Sequence, residues 1–268
     1  MAIDDPIALI EPGRYGDVIN VLPLAKHLHD SGEQVDFLIH PKFAGLLDGV
    51  SYVRPVLVPL EDEHRPEEAR VWAAARYARV IVSKVWNNRY LDRSAADCFA
   101  AEAYRLAGYS HLYGKLPVEF DRRSPEREAR LVEQHLGGSD PFILYNLDGS
   151  SSAFKGRRRF ARWLRWQRFD AKLVKMPTDC ERLYDLLGLY ERADLLITTD
   201  TATLWLAHAI HIPTIVLHQT DTWCRAPFPP ATVLACTYEG AHSRRRTIAE
   251  AIRACLATPR RAPTAACE

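Results

Sequence analysis

Ile7-Ala-Leu-Ile-Glu-Pro-Gly-Arg-Tyr-Gly-Asp-Val-Ile-Asn-Val-Leu-Pro-Leu24 reads as a strand, a glycine turn and a helix in succession. Residues 7–11 have the length and apolar character of a buried strand. Two glycines interrupt the run between Pro12 and Gly16, after which Val18, Val21, Leu22, Ala25 and Leu28 recur at helical spacing. A strand that passes through a glycine turn straight into a helix is the opening unit of a doubly wound α/β sheet.

The alternation continues outward. Strands are expected at Val35 to His40, Val53 to Val58 and Val80 to Val85, with helices over 66–78 and 94–107. A charged helix from Ser124 to Leu136 leads to Gly137-Gly-Ser-Asp-Pro141, the strongest turn cluster in the middle of the chain. Placing a boundary there gives domains of residues 1–138 and 139–268. Beyond it the pattern restarts: strands at Phe142 to Leu147, Ala171 to Met176, Leu195 to Thr199 and Pro213 to His218, and helices over 157–168, 179–190 and from Thr201. The expected fold class is α/β, two Rossmann-like doubly wound domains with carboxyl strand ends facing a cleft. The tail from Ala257 is expected to fray.

Composition sets the bounds. The 268 residues are 47% hydrophobic, enough for packed cores, and 35 basic against 34 acidic residues leave a formal charge of +1. Such a balance points the whole chain neither to nucleic acid nor to a membrane. The first residues carry acids where a secretory leader carries bases, and no apolar run approaches the ~20 residues of a membrane span, so a cytoplasmic protein is expected. Six cysteines stand apart with no Cys-x-x-Cys pair, and His208, His211 and His218 lack a metal-binding spacing; no metal site is expected. His218 closes a strand and either approaches a ligand or serves its loop.

Three stretches resemble glycosyltransferase family nine, the heptosyltransferase-like family. Gly13 to Leu24 is similar to its N-terminal Gly-Asp motif, in which the helix carries a proline. Ala193-Asp-Leu-Leu-Ile-Thr-Thr-Asp-Thr-Ala-Thr-Leu-Trp-Leu-Ala-His-Ala-Ile-His-Ile-Pro-Thr-Ile-Val-Leu217 looks like its strand, Asp-Thr-Gly turn, helix, proline and strand block. Asn146-Leu-Asp-Gly-Ser-Ser-Ser-Ala-Phe-Lys155 is similar to a small-residue loop that ends in a donor-binding lysine. The resemblance implies a GT-B enzyme of inverting type that uses a nucleotide-sugar donor, needs no cofactor and acts on a glycan or lipopolysaccharide-type acceptor. It places the general base at Asp17, which on spacing alone is equally the N-cap of the helix from Val18. Donor contacts fall to Arg14, Gly16, Ser150, Ser151, Lys155, Asp200, Thr201 and Ala202, with the helix opening at Thr201 aiming its amides at the diphosphate. The sequence departs from the family where its glycine is Ala202 and its following histidine is Trp205.

Acceptor contacts are expected from Trp86 and Asn87, which follow a strand, and from Arg157, Arg158 and Arg159. Those arginines open the stretch Phe154 to Phe169, which holds seven basic residues, no acid, and Phe160, Trp163 and Trp166 between them. Phe160, Trp163 and Leu164 form a buried helical face in one reading; in another, the arginines hold a polyanion, DNA or acidic glycolipid. Two other functions therefore stand beside the first: a phage-type transferase acting on hydroxymethylated DNA bases, and a nucleic-acid-binding protein on an inactive GT-B scaffold.

Overall fold

The computed structural model describes residues 5–58, 66–83, 99–137, 141–149, 153–219 and 227–258. The chain forms two compact units that divide between Arg123 and Ser124, with Pro227 counted to the first.

The first unit runs β1 (Ile7–Ile10), α1 (Tyr15–Asp30), β2 (Val35–Ile39), a 3-10 helix (Pro41–Gly49), β3 (Arg54–Leu57), α2 (Pro66–Ala74), β4 (Arg79–Val82) and α3 (Phe99–Ala107). Its strands form one parallel sheet in the order β3-β2-β1-β4, with Ile7 opposite both Val35 and Arg79. Every residue of β1 and β2 is buried, which is why these strands read as unbroken apolar runs. Asp36 is the one charged residue of β2 and is fully buried with the rest. Its carboxylate is satisfied by the Arg54 Nε at 2.7 Å and the Tyr77 hydroxyl at 2.8 Å. Ala8, Ile10 and Leu38 pack with Ala69 and Ala73 of α2.

The second unit runs α4 (Pro125–Leu136), β5 (Phe142–Asn146), α5 (Arg157–Trp166), β6 (Lys172–Lys175), a 3-10 turn (Leu183–Leu186) continuing as α6 (Leu187–Arg192), β7 (Leu195–Thr199), α7 (Ala202–Leu206), β8 (Thr214–His218), β9 (Thr232–Thr237), α8 (Gly240–Ser243) and α9 (Arg245–Ala257). The sheet is again parallel, ordered β6-β5-β7-β8-β9. Phe160 and Leu164 of α5 and Ile248 and Ile252 of α9 bury themselves with Ile143, Ile197 and Ile215 of the strands.

Three details depart from expectation. The division of the chain precedes the Gly137–Pro141 turn because α4 packs on α6: a Cβ on Gly188 would lie 2.6 Å from the Glu128 Cβ. Gly137, at φ 58°, ends α4 instead. The helix expected over 179–190 begins only at Leu183, in 3-10 form, and β9 is an added edge strand. Among the described residues no helix is long and apolar enough to cross a membrane.

Candidate functional site

In an open parallel sheet, a crevice forms at the carboxyl ends where two neighbouring strands send their connections in opposite directions. In the first unit that place lies between β1 and β4. In the second it lies between β5 and β7.

The first crevice is acidic. Glu11 follows β1 and Ser83 follows β4; both are buried, and the Ser83 hydroxyl donates to the Glu11 carboxylate across the crevice. The other Glu11 oxygen accepts the Gly13 N–H at 2.8 Å. Asp17, half-buried in the first turn of α1, accepts the Arg14 N–H at 3.0 Å. Gly13 separates the two carboxylates: a Cβ there would lie 2.6 Å from Glu11 Oε1 and 2.9 Å from Asp17 Oδ2. A side chain there must push one of the two carboxylates aside.

Two expectations change as a result. Asp17 is not the N-cap, because α1 begins at Tyr15 with Arg14 as its cap residue and Asp17 reaching back from the third helical position. The turn is also a poor anion cradle. The amides of Gly13 and Arg14 already serve carboxylates and are not free for a phosphate. Such a turn suits a neutral hydroxyl that gives up a proton. Arg14 and Gly16 share it with Asp17, in a different unit from Lys155, Asp200, Thr201 and Ala202, the other residues expected to contact the donor.

The second crevice is lined by hydroxyls. Asn146 ends β5, and its Nδ2 donates to Thr203 Oγ1 at 2.9 Å. Thr203 Oγ1 also meets Thr198 Oγ1 at 2.9 Å and Thr201 Oγ1 at 2.7 Å, while its carbonyl accepts from the buried Tyr190 hydroxyl at 2.7 Å. The turn Asp200-Thr201-Ala202 is thereby fixed from behind. Thr199 Oγ1 is buried with no hydrogen-bond partner among the described residues. Burial pushes the Asp200 carboxyl above the usual carboxylate range, and His218 at the end of β8 opposes the shift. His218 is tied by its Nδ1 to the Gln219 carbonyl at 2.7 Å. The helix after Thr201 is only five residues long, so it contributes first-turn amides and little macrodipole. Trp205, where the family pattern has histidine, stacks on His208 with ring centres 5.7 Å apart.

The loop between β5 and α5 adds charge. Asp148 is held by Arg157 Nε and Lys175 Nζ, each at 2.9 Å, beside a cavity of about 280 Å³ lined by Asp148, Gly149, Ala153, Phe154 and Arg157. Arg157 is therefore compensated by an acid outside its own basic run, contrary to expectation. Lys155, Arg158 and Arg159 are exposed. Trp86, Asn87, Ser150 and Ser151 lie outside the described residues.

By sequence the chain matches no family model and no curated protein. Solved structures do match. A family 9 glycosyl transferase from Veillonella parvula aligns with a TM-score of 0.64 at 16% identity, over 96% of this chain and 98% of that one. ADP-heptose lps heptosyltransferase II of E. coli aligns at 0.57 and 15% identity, over 94% and 98%. E. coli heptosyltransferase WaaC, solved with ADP, aligns at 0.55 and 14% identity, over 92% and 99%. The chain has the fold of the family 9 glycosyltransferases.

That GT-B fold agrees with the three motifs quoted above and places two of them, the Gly-Asp turn and the Asp-Thr turn, at the crevices of the two sheets. Sequence reasoning passed over Glu11, Ser83, Asn146, Thr198 and Thr203 as site residues. Glu11 and Asn146 nevertheless had a readable signal: each is a polar residue closing an apolar strand, where a doubly wound sheet puts its ligand.

Proposed function

We propose that the protein is an inverting glycosyltransferase that moves a sugar, of the ADP-heptose type, from a nucleoside diphosphate to a hydroxyl of a glycan or lipopolysaccharide-type acceptor. The first unit takes the acceptor and the second the donor. Asp17 accepts the hydroxyl proton as the acceptor oxygen attacks the anomeric carbon. The bond from that carbon to the leaving phosphate oxygen breaks, and its electron pair departs with the diphosphate. Lys155, the Thr201 hydroxyl, Ser150, Ser151 and the amides at Ala202 receive that charge, so this reading calls for no cofactor besides the donor. Arg158 and Arg159 remain available to an acidic acceptor.

One observation carries the reading: in a family 9 fold, an acidic Gly-Asp turn occupies one sheet crevice and a hydroxyl-rich Asp-Thr turn the other. The two differ in the sense the chemistry requires, a proton acceptor on one side and anion-compatible donors on the other.

The decisive variant is Asp17→Asn. Asparagine keeps an oxygen for the Arg14 N–H, so the cap of α1 survives while the base is lost. Transfer from a panel of nucleotide sugars to glycan acceptors, followed by mass spectrometry of products, is expected to fall about 10²–10⁴-fold in kcat at unchanged melting temperature. Equal, non-zero turnover in both proteins removes Asp17 as the base.

A further inference from the structure

Apart from Arg158 and Arg159, which that reading offers to an acidic acceptor, the outer face of α5 has no part in that reaction. Phe160 and Leu164 are buried and Trp163 packs against the same core, which fixes how the helix is rotated. At about 100° per residue, Arg165, Arg158, Arg162, Trp166 and Arg159 then fall in that order within an outward arc of about 120°. Trp166 is 83% exposed, and the four arginines are exposed with no acidic partner among the described residues. Arg157, which faces away from the arc, is paired with Asp148. The inward charge is neutralised and the outward ones are left open.

The surface extends past the helix. Arg168 is exposed just beyond α5 with φ 45°, a left-handed conformation that an asparagine or glycine adopts at less cost. On α9, the Arg245 guanidinium lies 5.6 Å from the Trp163 ring centre and that of Arg253 5.6 Å from Phe169. Of these two, Arg253 is exposed and adds to the outward charge, while Arg245 is half-buried against the core-facing Trp163.

We propose that this face docks the protein on an anionic phospholipid bilayer surface. Guanidinium groups bind phosphodiester headgroups by paired hydrogen bonds, and an indole settles at the headgroup boundary. A short helix with arginines along one face and a protruding tryptophan amid them lies flat in that layer. The four guanidinium groups surround one protruding indole on a helix of ten residues, a layout that spreads along a headgroup layer; a nucleic acid held by the same guanidinium groups is the competing occupant. The inference does not rest on the transferase reading.

The test is flotation of the protein with vesicles of phosphatidylcholine alone and of phosphatidylcholine mixed with phosphatidylglycerol, free of any glycan acceptor. Binding is expected only to the mixed vesicles and is released in high salt, where the screening length shrinks to about 3 Å. Arg162→Gln weakens it about fivefold, and the combined Arg158→Gln, Arg159→Gln, Arg162→Gln and Arg165→Gln variant by several hundredfold, roughly fivefold per arginine. Trp166→Ala weakens binding without changing its salt dependence. Melting curves establish that each variant is folded, and Arg162→Gln, one exposed side chain, keeps the test open if the combined variant is not. Absence of binding to mixed vesicles, equal binding by wild type and Arg162→Gln, or equal binding to neutral vesicles overturns the proposal. So does tighter binding of a single-stranded oligonucleotide through the same arginines at the same salt. Because the vesicles hold no acceptor, failure here leaves the transferase reading standing, and the reverse is also true.

Discussion

Glu11 holds the first crevice together by accepting from Gly13 behind the turn and from Ser83 across to β4. Glu11→Ala leaves a buried N–H and a buried hydroxyl unpaired, and is expected to cost about 1–3 kcal/mol in denaturant unfolding. Glu11→Gln keeps an acceptor and costs much less. Gly13→Ala forces a methyl between Glu11 and Asp17, at an expected cost of about 1–3 kcal/mol. Asp200 gives a pH signature of known sign. Its carboxyl titrates higher in the folded protein than in the unfolded chain, so its contribution favours folding most at acid pH and is lost as pH rises through the folded value. Asp200→Asn should therefore raise the melting temperature at neutral pH, with the gain vanishing toward pH 4; a gain that grows on acidification contradicts the raised carboxyl. Of these residues, Gly13, Asp17 and Asp200 were legible because their turns interrupt periodic runs. Glu11 was readable only as a polar residue closing a strand; its pairing with Ser83 was not, since their meeting depends on β4 lying beside β1, which no local pattern encodes.

Elements were legible wherever a buried face imposed a period. The strand expected at Leu195 to Thr199 is the observed β7, and β1, β2, β5 and β8 differ from expectation by a residue at their ends. β9 was missed because it is an edge strand, half-exposed along most of its length and preceded by prolines, so its apolar signal is weak. The first part of 179–190 failed as helix because Leu183–Leu186 takes the 3-10 form, held by Asp185 accepting from Arg182 Nε at 3.0 Å. The end of α5 gives the prediction at this scale. Expected to reach residue 168, the helix stops at Trp166 and Arg168 turns left-handed. Arg168→Gly should stabilise the second unit by about 1 kcal/mol in urea unfolding, since glycine escapes the Cβ penalty of that conformation. No change, or a loss, means that the arginine side chain repays the backbone cost through packing.

At the scale of the molecule, the two sheets were predictable as repeats of one pattern, while the division between them was not. Gly137–Pro141 is the stronger turn in sequence, but α4 joins the second unit through the close approach of Gly188 to Glu128, a contact across sixty residues of chain. Two units with separate cores need not unfold together, and this makes the donor assignment testable without any acceptor. A ligand that binds only the second unit stabilises it by mass action, about 2.7 kcal/mol at a hundred times its Kd. With ADP as the ligand, the second unit's transition should rise by about 5–10 °C. Amide exchange should slow at the carboxyl ends of β5, β7 and β8 and stay unchanged in β1 and β4. Thr201→Val disturbs the hydroxyl cluster at Asn146 and Thr203 and should lose most of the shift, whereas Asp17→Asn, in the other unit, should keep it. Protection that gathers at β1 and β4 instead would move the nucleotide to the acidic turn and exchange the roles of the two units.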